Sequence, residues 1–277
     1  MKIIVAAAVG LAAATPALGA SKGVIRASSG SVRAELSFKK ADDAYTDARL
    51  VVSRAGRVRL GVGIQGFGRP FVRPVELSVR DLDADSEPEV VLDVYTGGAH
   101  CCVHTLIYRY LSDGGSYRRT FRDWGNVGFR LVDFDGDGRP ELRSADDRFA
   151  YAFTSFAGST FPIQIWRFDR GRLLDITRSF PKVIARDAGQ QWRWYRRFPW
   201  LREDPRGVLA AWLADMHLLG REDEGWRELE RAYRTGELGP KQSLADWPQG
   251  RAYIRALRAF LRKTGYVART PPSGPVR

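Results

Sequence analysis

The sequence predicts an α+β protein in which a mainly-β repeat domain, residues 31–185, precedes a small helical domain, residues 205–266. In the first segment, short runs of β-branched and aromatic residues alternate with Gly and Asp clusters, as in half-buried strands joined by turns. In the second, apolar residues recur at spacings of three and four, the period of an amphipathic helix. An acidic motif also occurs twice in the first segment, and such self-similarity is typical of repeat architectures.

The strand predictions come from alternation and from the repeat. Residues 49–60 predict a β-hairpin that turns at Ala55 and Gly56, and residues 75–79 alternate strictly between apolar and polar side chains. The two copies of the acidic motif begin at Asp81 and Asp133, 52 residues apart, and a second matching segment follows each copy. Each unit therefore contains about four strands, the content of one propeller blade.

The two units and the preceding hairpin amount to about two to two-and-a-half propeller-blade-like units. A closed propeller needs at least about four blades. We therefore expect an open sheet or a sandwich-like stack rather than a closed ring.

Three helices are predicted in the carboxyl-terminal segment, the second of which ends at Gly236. Their apolar stripes consist of Leu209, Trp212, Leu213 and Met216; of Trp226, Leu229 and Tyr233; and, within residues 250–263, of Tyr253, Ile254, Leu257, Phe260 and Leu261.

Residues 1–20 have the pattern of a secretory signal peptide. Lys2 provides a positive charge, an apolar run follows, and small residues surround a cleavage point after Gly19 or Ala20. The alternative is a buried amino-terminal helix. The apolar run is shorter than the roughly 20 residues that span a bilayer, and no cysteine lies near the cleavage point. We therefore expect a secreted or extracytoplasmic protein without a lipid anchor or membrane span, ending in a flexible tail at residues 267–277.

The 277-residue chain carries 44 Lys and Arg against 32 Asp and Glu, a formal charge of +12. These basic residues are spread along the chain with acids between them, whereas nucleic-acid-binding proteins concentrate them on one face or in one run. The distribution argues against nucleic acid as a partner and is typical of an ordinary solvated surface. The alternative is attraction to an anionic cell-surface polymer, because a positive field attracts polyanions.

Two acidic loops carry oxygen ligands at alternating positions: the first loop, residues 81–89, and the second loop, residues 133–141. Carboxylates at positions 1, 3 and 5 of a tight turn converge, the carbonyl of position 7 adds an oxygen, and an acid at position 9 completes a set that suits a hard divalent cation. We therefore predict calcium as the cofactor; the alternative is an Asp-rich turn without an ion. The predicted ligands are Asp81, Asp83, Asp85, the carbonyl of Glu87 and Glu89 in the first loop, and Asp133, Asp135, Asp137, the carbonyl of Arg139 and Glu141 in the second.

The second loop is the expected stronger site, since Gly138 accepts the bend at position 6 where the first loop has Ser86. Neither loop is an EF-hand, because position 12 is Leu92 or Ser144 instead of a bidentate Glu, and the flanks are strands.

Strand–DxDxDGxxE–strand units in an exported chain resemble the FG-GAP and VCBS-type repeats of calcium-binding β-propeller proteins. The resemblance covers residues 75–175 in two copies, and it departs from the family at Ser86 and in the number of units. It implies calcium at the residues named above. It leaves the activity open, because the family includes adhesins, lectin-like modules and accessory domains of enzymes.

Cys101 and Cys102 are adjacent, and three states are open to them. They form a vicinal disulfide, which export favours; they remain reduced thiols; or they join His100 and His104 in a soft-metal site, because thiolate and imidazole suit zinc or copper. Alternate residues of a strand share a face, so Cys102 and His104 are expected to point together while Cys101 faces away.

Residues 190–200 alternate aromatic and cationic side chains. We expect these aromatics to pack the helical domain onto the sheets, and the alternative is sugar or surface binding, to which arginines stacked on rings are suited. Asp146 and Asp147 are the acidic pair with catalytic potential, although a solvated turn also explains them. The sequence contains no HExxH helix or phosphate loop, and no catalytic residue is predicted.

These features favour an exported, calcium-stabilised binding or interaction module whose partner is a cell-surface polymer, a glycan or a protein. The first alternative is a carbohydrate-acting hydrolase, or its accessory domain, that uses acids near the loops. The second alternative is a purely structural envelope protein.

Overall fold

The computed structural model describes residues 21–41, 44–65, 73–97, 101–197, 204–239 and 247–267. The predicted signal peptide, residues 268–277 of the predicted tail, and His100 lie outside these residues. Within them, twelve strands form three four-stranded sheets, and four helices follow the last strand. The fold is α+β with open antiparallel sheets, which confirms the predicted class.

The first sheet is complete, although the sequence indicates only its last hairpin. Its strands follow chain order, each antiparallel to the next: β1 (Ser21–Ser29), β2 (Val32–Ala41), β3 (Ala44–Arg54) and β4 (Arg57–Gly63). The predicted hairpin at residues 49–60 belongs to β3 and β4, and its turn places Ala55 and Gly56 at positive φ. The strands begin at Ser21, ahead of the expected start at residue 31.

The second and third sheets repeat the same up-and-down order. The second contains β5 (Arg73–Arg80), β6 (Glu89–Tyr95), β7 (Val103–Leu111) and β8 (Ser116–Gly125), and the third contains β9 (Arg130–Val132), β10 (Glu141–Ala145), β11 (Ile163–Asp169) and β12 (Arg172–Asp175). The first loop joins β5 to β6, and the second joins β9 to β10. In the first sheet, the corresponding connection between the first two strands is a tight turn at Gly30 and Ser31. The structure thus contains three four-stranded units, two of which have an acidic loop.

The three sheets share their hydrophobic cores with their neighbours. Strand β6 is buried on both faces, since Val90 and Leu92 pack in the core shared with the first sheet, and Val91 packs in the core shared with the third. Phe168 of β11 and Trp124 of β8 belong to that second core. A strand in the middle of a layered stack has no solvent-facing side, which explains why β6 is apolar almost throughout.

The helical part contains α1 (Pro181–Tyr195), α2 (Arg206–Leu218), α3 (Glu222–Arg234) and α4 (Gly250–Lys263). Helix α2 is buried from Arg206 to His217, because the other helices and the segment between β10 and β11 surround it. From that segment, Phe153 packs edge-on against Tyr253 and Phe260 of α4. Helix α1 packs on the third sheet through Ile184, beside Ile163 and Ile165.

Candidate functional site

The two acidic loops fold with the same hydrogen bonds. In each loop the position-1 carboxylate accepts from the amide of position 6, the position-5 carboxylate from the amide of position 7, and the position-9 carboxylate from the amide of position 2. The pairs are Asp81 with Ser86 (2.9 Å), Asp85 with Glu87 (2.8 Å) and Glu89 with Leu82 (3.0 Å); and Asp133 with Gly138 (3.1 Å), Asp137 with Arg139 (2.8 Å) and Glu141 with Phe134 (3.0 Å). The repeat seen in the sequence is therefore a structural repeat.

The loops differ in backbone strain. Positions 4 and 6 have positive φ in both, but they are Gly136 and Gly138 in the second loop and Ala84 and Ser86 in the first. The left-handed conformation costs a non-glycine residue roughly 1–2 kcal/mol. The first loop therefore stores strain that the second avoids, as the comparison of Ser86 with Gly138 predicts.

The carboxylates converge in both loops. Oxygens of Asp81, Asp83 and Asp85 lie within 4.8 Å of one another in the first loop, as do those of Asp133, Asp135 and Glu141 in the second. The side chains at position 7 have other partners, so that only their carbonyls remain candidate ligands: Glu87 pairs with Arg54 of the first sheet, and Arg139 with Asp169 of the third.

Each loop also receives an arginine from the third strand of its own sheet. Antiparallel register places Arg109 opposite Glu89 and Arg167 opposite Glu141, one step beyond the pairs Val90–Tyr108 and Leu142–Trp166. The second matching segment of each repeat contains one of these arginines, but the sequence alone does not place either arginine beside a loop. Both arginines occupy the same position in their segments, and only the strand register shows that this position faces the loop.

The two arginines contact their loops differently. A terminal nitrogen of Arg167 lies 2.5 Å from Glu141, 3.1 Å from Asp135 and 3.5 Å from Asp137. Arg109 lies 2.7 Å from Asp85, but its Nε is 3.6 Å from Asp83 and 3.9 Å from Glu89. Arg167 therefore neutralises the buried end of the second loop. Arg109, by contrast, neutralises mainly the outer carboxylate of the first loop, that of Asp85.

As a result, the first loop keeps two buried carboxylate oxygens without a donor. The side chains of Asp83 and Glu89 are 2% and 0% exposed, and Asp83 Oδ1 and Glu89 Oε1 have no hydrogen-bond partner. The turn between β11 and β12 covers this loop, and the amide of Arg170 donates to Asp83 Oδ2 at 3.0 Å. Burial, followed by the neighbouring aspartates, raises the pKa of Glu89 to about 8, and burial also raises the pKa of Asp83.

In the second loop, by contrast, the buried acid is satisfied. Glu141 Oε1 accepts from Arg167, and Oε2 accepts from the amide of Phe134. Asp135 and Asp137 are 41% and 38% exposed, because no turn from a further sheet covers them within the described chain. The first loop thus keeps buried carboxylate oxygens without a hydrogen-bond donor, and its guanidinium, that of Arg109, lies closest to the outer carboxylate of Asp85.

A second group of candidate ligands lies at the start of β7. The sulfur atoms of Cys101 and Cys102 are in direct contact, an arrangement compatible with a bond between them, and their oxidation state stays a prediction. Ligand atoms of Cys102, His104 and Asp123 lie within 4.8 Å of one another. Cys102 and His104 therefore point together, as strand alternation predicts, and Asp123 of β8 joins them from the neighbouring strand. The expectation that Cys101 faces away is wrong, because its sulfur contacts that of Cys102 just before the strand begins.

Asp146 and Asp147 are occupied by structural contacts. Asp146 is buried, accepts from Arg148 Nε and Nη2 at 2.7 and 2.6 Å, and accepts from the Tyr266 hydroxyl at 2.9 Å. Asp147 accepts from the amide and side chain of Asn126. Asp146 thus joins the end of the third sheet to the end of the helical part, and Asp147 joins it to the end of β8, so both acids serve structural contacts.

The aromatic segment divides between packing and a cavity. Trp192 stacks near Trp212 of α2, with ring centroids 4.5 Å apart, whereas Trp194 lines a cavity of about 340 Å³ together with Asp187 and Gln191. Residues 198–200 lie outside the described chain. Trp192 therefore packs within the helical part and not onto the sheets, so its contacts do not provide the expected packing of helices on sheets.

The acids beside that cavity are not spaced for glycoside hydrolysis. Asp187 and Asp215 share a hydrogen bond, and Gln191 Nε2 donates to both, at 2.7 and 3.0 Å. Burial and the neighbouring Asp187 raise the pKa of Asp215 well above its ordinary range. Glycosidases instead hold their two carboxyls about 5–9.5 Å apart.

A groove runs between the third sheet and the helices and continues to β8 of the second sheet. Two adjoining cavities of about 360 and 560 Å³ share Arg148, Gln164, Asp175 and Thr264 in their walls. In the larger one, the Arg122 guanidinium lies 3.9 Å from the ring centre of Trp166 and 5.0 Å from that of Trp124. Trp124 is buried, so the partly exposed Trp166 ring and the charged groups of both signs make this groove suited to a polar, ring-containing ligand.

Comparison with known proteins separates the helical part from the sheets. Residues 184–265 match a family described as the sll0997 C-terminal domain. This match runs from within α1 to the end of α4. It covers the four helices and none of the strands.

Two curated relatives extend the similarity beyond the helices. The chain is 30% identical over 221 residues to the probable thylakoid lumen protein sll0997 of Synechocystis sp., an alignment that covers 69% of this chain and 60% of the relative. It is also 30% identical over 235 residues to the uncharacterized protein y4bJ of Sinorhizobium fredii, covering 79% of this chain and 36% of that protein. The chain thus spans 60% and 36% of the lengths of these relatives. No solved structure matches it.

No helix within the described residues combines the length and the apolar character required to cross a bilayer.

Proposed function

We propose that this protein is an exported binding module whose stacked sheets are stabilised by calcium, bound chiefly in the first loop. The observation that supports this most strongly is the pair of buried oxygens, Asp83 Oδ1 and Glu89 Oε1, that lack a hydrogen-bond donor. Leaving a buried polar group without a partner costs about 1–3 kcal/mol, and more for a charged one. A cation among the carboxylates of the first loop removes that cost.

Calcium suits the first loop because of its donor set. Asp81, Asp83, Asp85 and Glu89 offer carboxylate oxygens, and the carbonyl of Glu87 adds one more; calcium takes six to eight oxygens, including waters, in flexible geometry. The shared DxDxD pattern of the FG-GAP and VCBS-type repeats supports the same assignment. A bound ion would also connect the second sheet to the turn of the third sheet that covers this loop.

The second loop is the weaker calcium site in this proposal, which reverses the order favoured by glycine placement alone. Arg167 already supplies a positive charge to Glu141 and the neighbouring aspartates. Calcium has to displace the Arg167 guanidinium to bind here. The Coulomb energy gained by binding calcium is then offset by the energy of the ion pairs that Arg167 loses.

Export is supported by two independent features. Residues 1–20 follow the pattern of a secretory signal peptide, and one relative is named as a probable thylakoid lumen protein. A lumen lies across a membrane from the compartment of synthesis. We propose an extracytoplasmic location on these grounds.

The groove between the third sheet and the helices is the proposed ligand surface, with a glycan or a glycan-bearing surface polymer as the ligand class. Aromatic rings bind the apolar faces of sugars, and the groove carries the Trp166 ring beside the Arg122 guanidinium, which can donate to hydroxyl groups. The Asp187–Asp215 pair is too close for glycoside hydrolysis, and the hydrolase alternative concerns other acids, those near the loops.

The test combines calcium titration with a glycan-binding screen on the mature protein. Calorimetry should detect one dominant calcium site, which Asp83→Asn removes and the matched variant Asp135→Asn in the second loop leaves in place. Glycan binding should be weakened by Trp166→Ala but not by Trp194→Ala, which changes the other cavity. Absence of calcium binding would remove the calcium part of the proposal, and glycan binding that Trp166→Ala leaves unchanged would remove the assigned surface.

A further inference from the structure

We propose that Cys102, His104 and Asp123 form a zinc site that the bond between Cys101 and Cys102 closes. The proposal is independent of calcium, because none of these residues belongs to either loop. It rests on the grouping of one thiol, one imidazole and one carboxylate at the paired ends of β7 and β8.

Strand geometry brings the three side chains together. His104 and Asp123 are opposite each other in the antiparallel register, with Nδ1 and Oδ1 3.4 Å apart. Cys102 lies two residues before His104 and therefore on the same face. The three ligand atoms lie within 4.8 Å of one another.

The backbone of Cys102 is held in place independently of Cys101. Its amide donates to the Thr96 hydroxyl at 3.1 Å, and its carbonyl accepts from the Thr96 amide at 3.1 Å. The backbone of Cys102 is thus anchored to Thr96, directly after β6, without help from Cys101. Breaking its bond to Cys101 would leave the sulfur beside His104.

The three ligands match zinc in type and charge. Zinc is bound by cysteine sulfur, histidine nitrogen and carboxylate oxygen at about 2.0–2.3 Å, and sites with three protein ligands keep a fourth position for water or substrate. A thiolate and a carboxylate together balance the charge of Zn²⁺. His104 is 8% exposed, whereas Asp123 is exposed, so the ion would be reached from the Asp123 side.

The disulfide closes this site because a sulfur bonded to Cys101 is not a thiolate. Reduction by a phosphine in water opens it: the S–S bond breaks, each sulfur gains one electron and one proton, and the phosphine is oxidised to its oxide with oxygen from water. Zinc then replaces the Cys102 proton, which passes to solvent.

Cys101→Ser tests the proposal without any reductant, because it releases Cys102 and leaves all three ligands intact. Zinc binding is measured by calorimetry with zinc chloride as the probe. Cys101→Ser should bind one zinc ion at least about tenfold more tightly than the oxidised wild type, and phosphine-treated wild type should match Cys101→Ser. Equal binding by oxidised wild type and Cys101→Ser would overturn the proposal.

Ligand identity is tested in the Cys101→Ser background. Adding His104→Gln or Asp123→Asn should each weaken zinc binding at least about tenfold, a loss on the scale seen when zinc sites are perturbed. Zinc should also protect Cys102 from alkylation, measured by intact mass, and this readout needs no second substitution. Alkylation at the same rate with and without zinc, or unchanged affinity in the exposed Asp123→Asn variant, would contradict the proposed site.

Discussion

Arg167 of β11 donates to Glu141 of β10 at 2.5 Å from the position directly opposite it in the third sheet. Arg109 and Glu89 occupy the same register in the second sheet, but they remain 3.9 Å apart. The same cross-strand pair therefore neutralises one loop and leaves the other short of positive charge. This difference underlies the proposed order of calcium affinity.

Replacing Arg167 should convert the second loop into a calcium-dependent one. Arg167→Met leaves the buried Glu141 without its cation, so the free energy of unfolding in chelator should fall by about 2 kcal/mol, less than for a fully buried pair because Arg167 retains solvent contact. Calcium should restore this loss. Urea denaturation with and without calcium measures both effects, and Arg130→Met, an exposed arginine on β9, serves as the control. A variant that calcium stabilises no more than wild type would contradict this account of the second loop.

Glycine at position 6 of the first loop should stabilise the protein. Ser86 has a φ of 67°, and relieving the left-handed strain gains roughly 1–2 kcal/mol, from which the greater flexibility of glycine in the unfolded chain subtracts about 0.5–1 kcal/mol. Ser86→Gly should therefore raise the free energy of unfolding by about 0.5–1 kcal/mol. The reciprocal Gly138→Ser should lower it. Thermal denaturation of both variants checks the prediction, which fails if the two changes have the same sign.

The buried Asp215 should make stability depend on pH. Because burial raises its pKa in the folded state, the folded protein holds a proton that the unfolded chain releases above the ordinary carboxyl pKa of about 4. Stability contributed by this group is complete below that pH and is lost as the pH rises towards the folded-state pKa.

Asp215→Asn should remove this contribution, since the amide does not ionise. The slope of stability against pH between pH 5 and 7 should become less negative by up to about 1.4 kcal/mol per pH unit. Urea denaturation at several pH values measures the slope, with the exposed Asp113→Asn as control. An unchanged slope would show that Asp215 does not retain its proton in the folded state.

Much of the architecture was predictable from local pattern. Helices α2 to α4 follow from apolar spacing, and the acidic loops follow from the repeat. Helix α1 was missed because its buried positions include Ala188 and Gln191, which give a weak apolar stripe. The first sheet was recognised only in part because a tight turn at Gly30 replaces the acidic loop that identifies the other two sheets.

The candidate sites were predictable only where their residues are neighbours in the sequence. The carboxylates of each loop lie on one short segment, so their convergence was expected. The positions of Arg109, Arg167 and Asp123 depend on which residues strand pairing sets opposite one another. Burial of the first loop depends on Arg170, 87 residues beyond Asp83, and no local pattern carries that information.

The most direct test of the central claim is the melting temperature of the mature protein in chelator and in about 10 mM calcium. With a dissociation constant on the order of 0.1 mM, one site contributes about 2.7 kcal/mol, which for a chain of this size corresponds to a rise of roughly 5–10 °C. We predict that rise for the wild type, its loss in Asp83→Asn, and its retention in Asp135→Asn. An identical melting temperature for the wild type in chelator and in calcium would contradict the account.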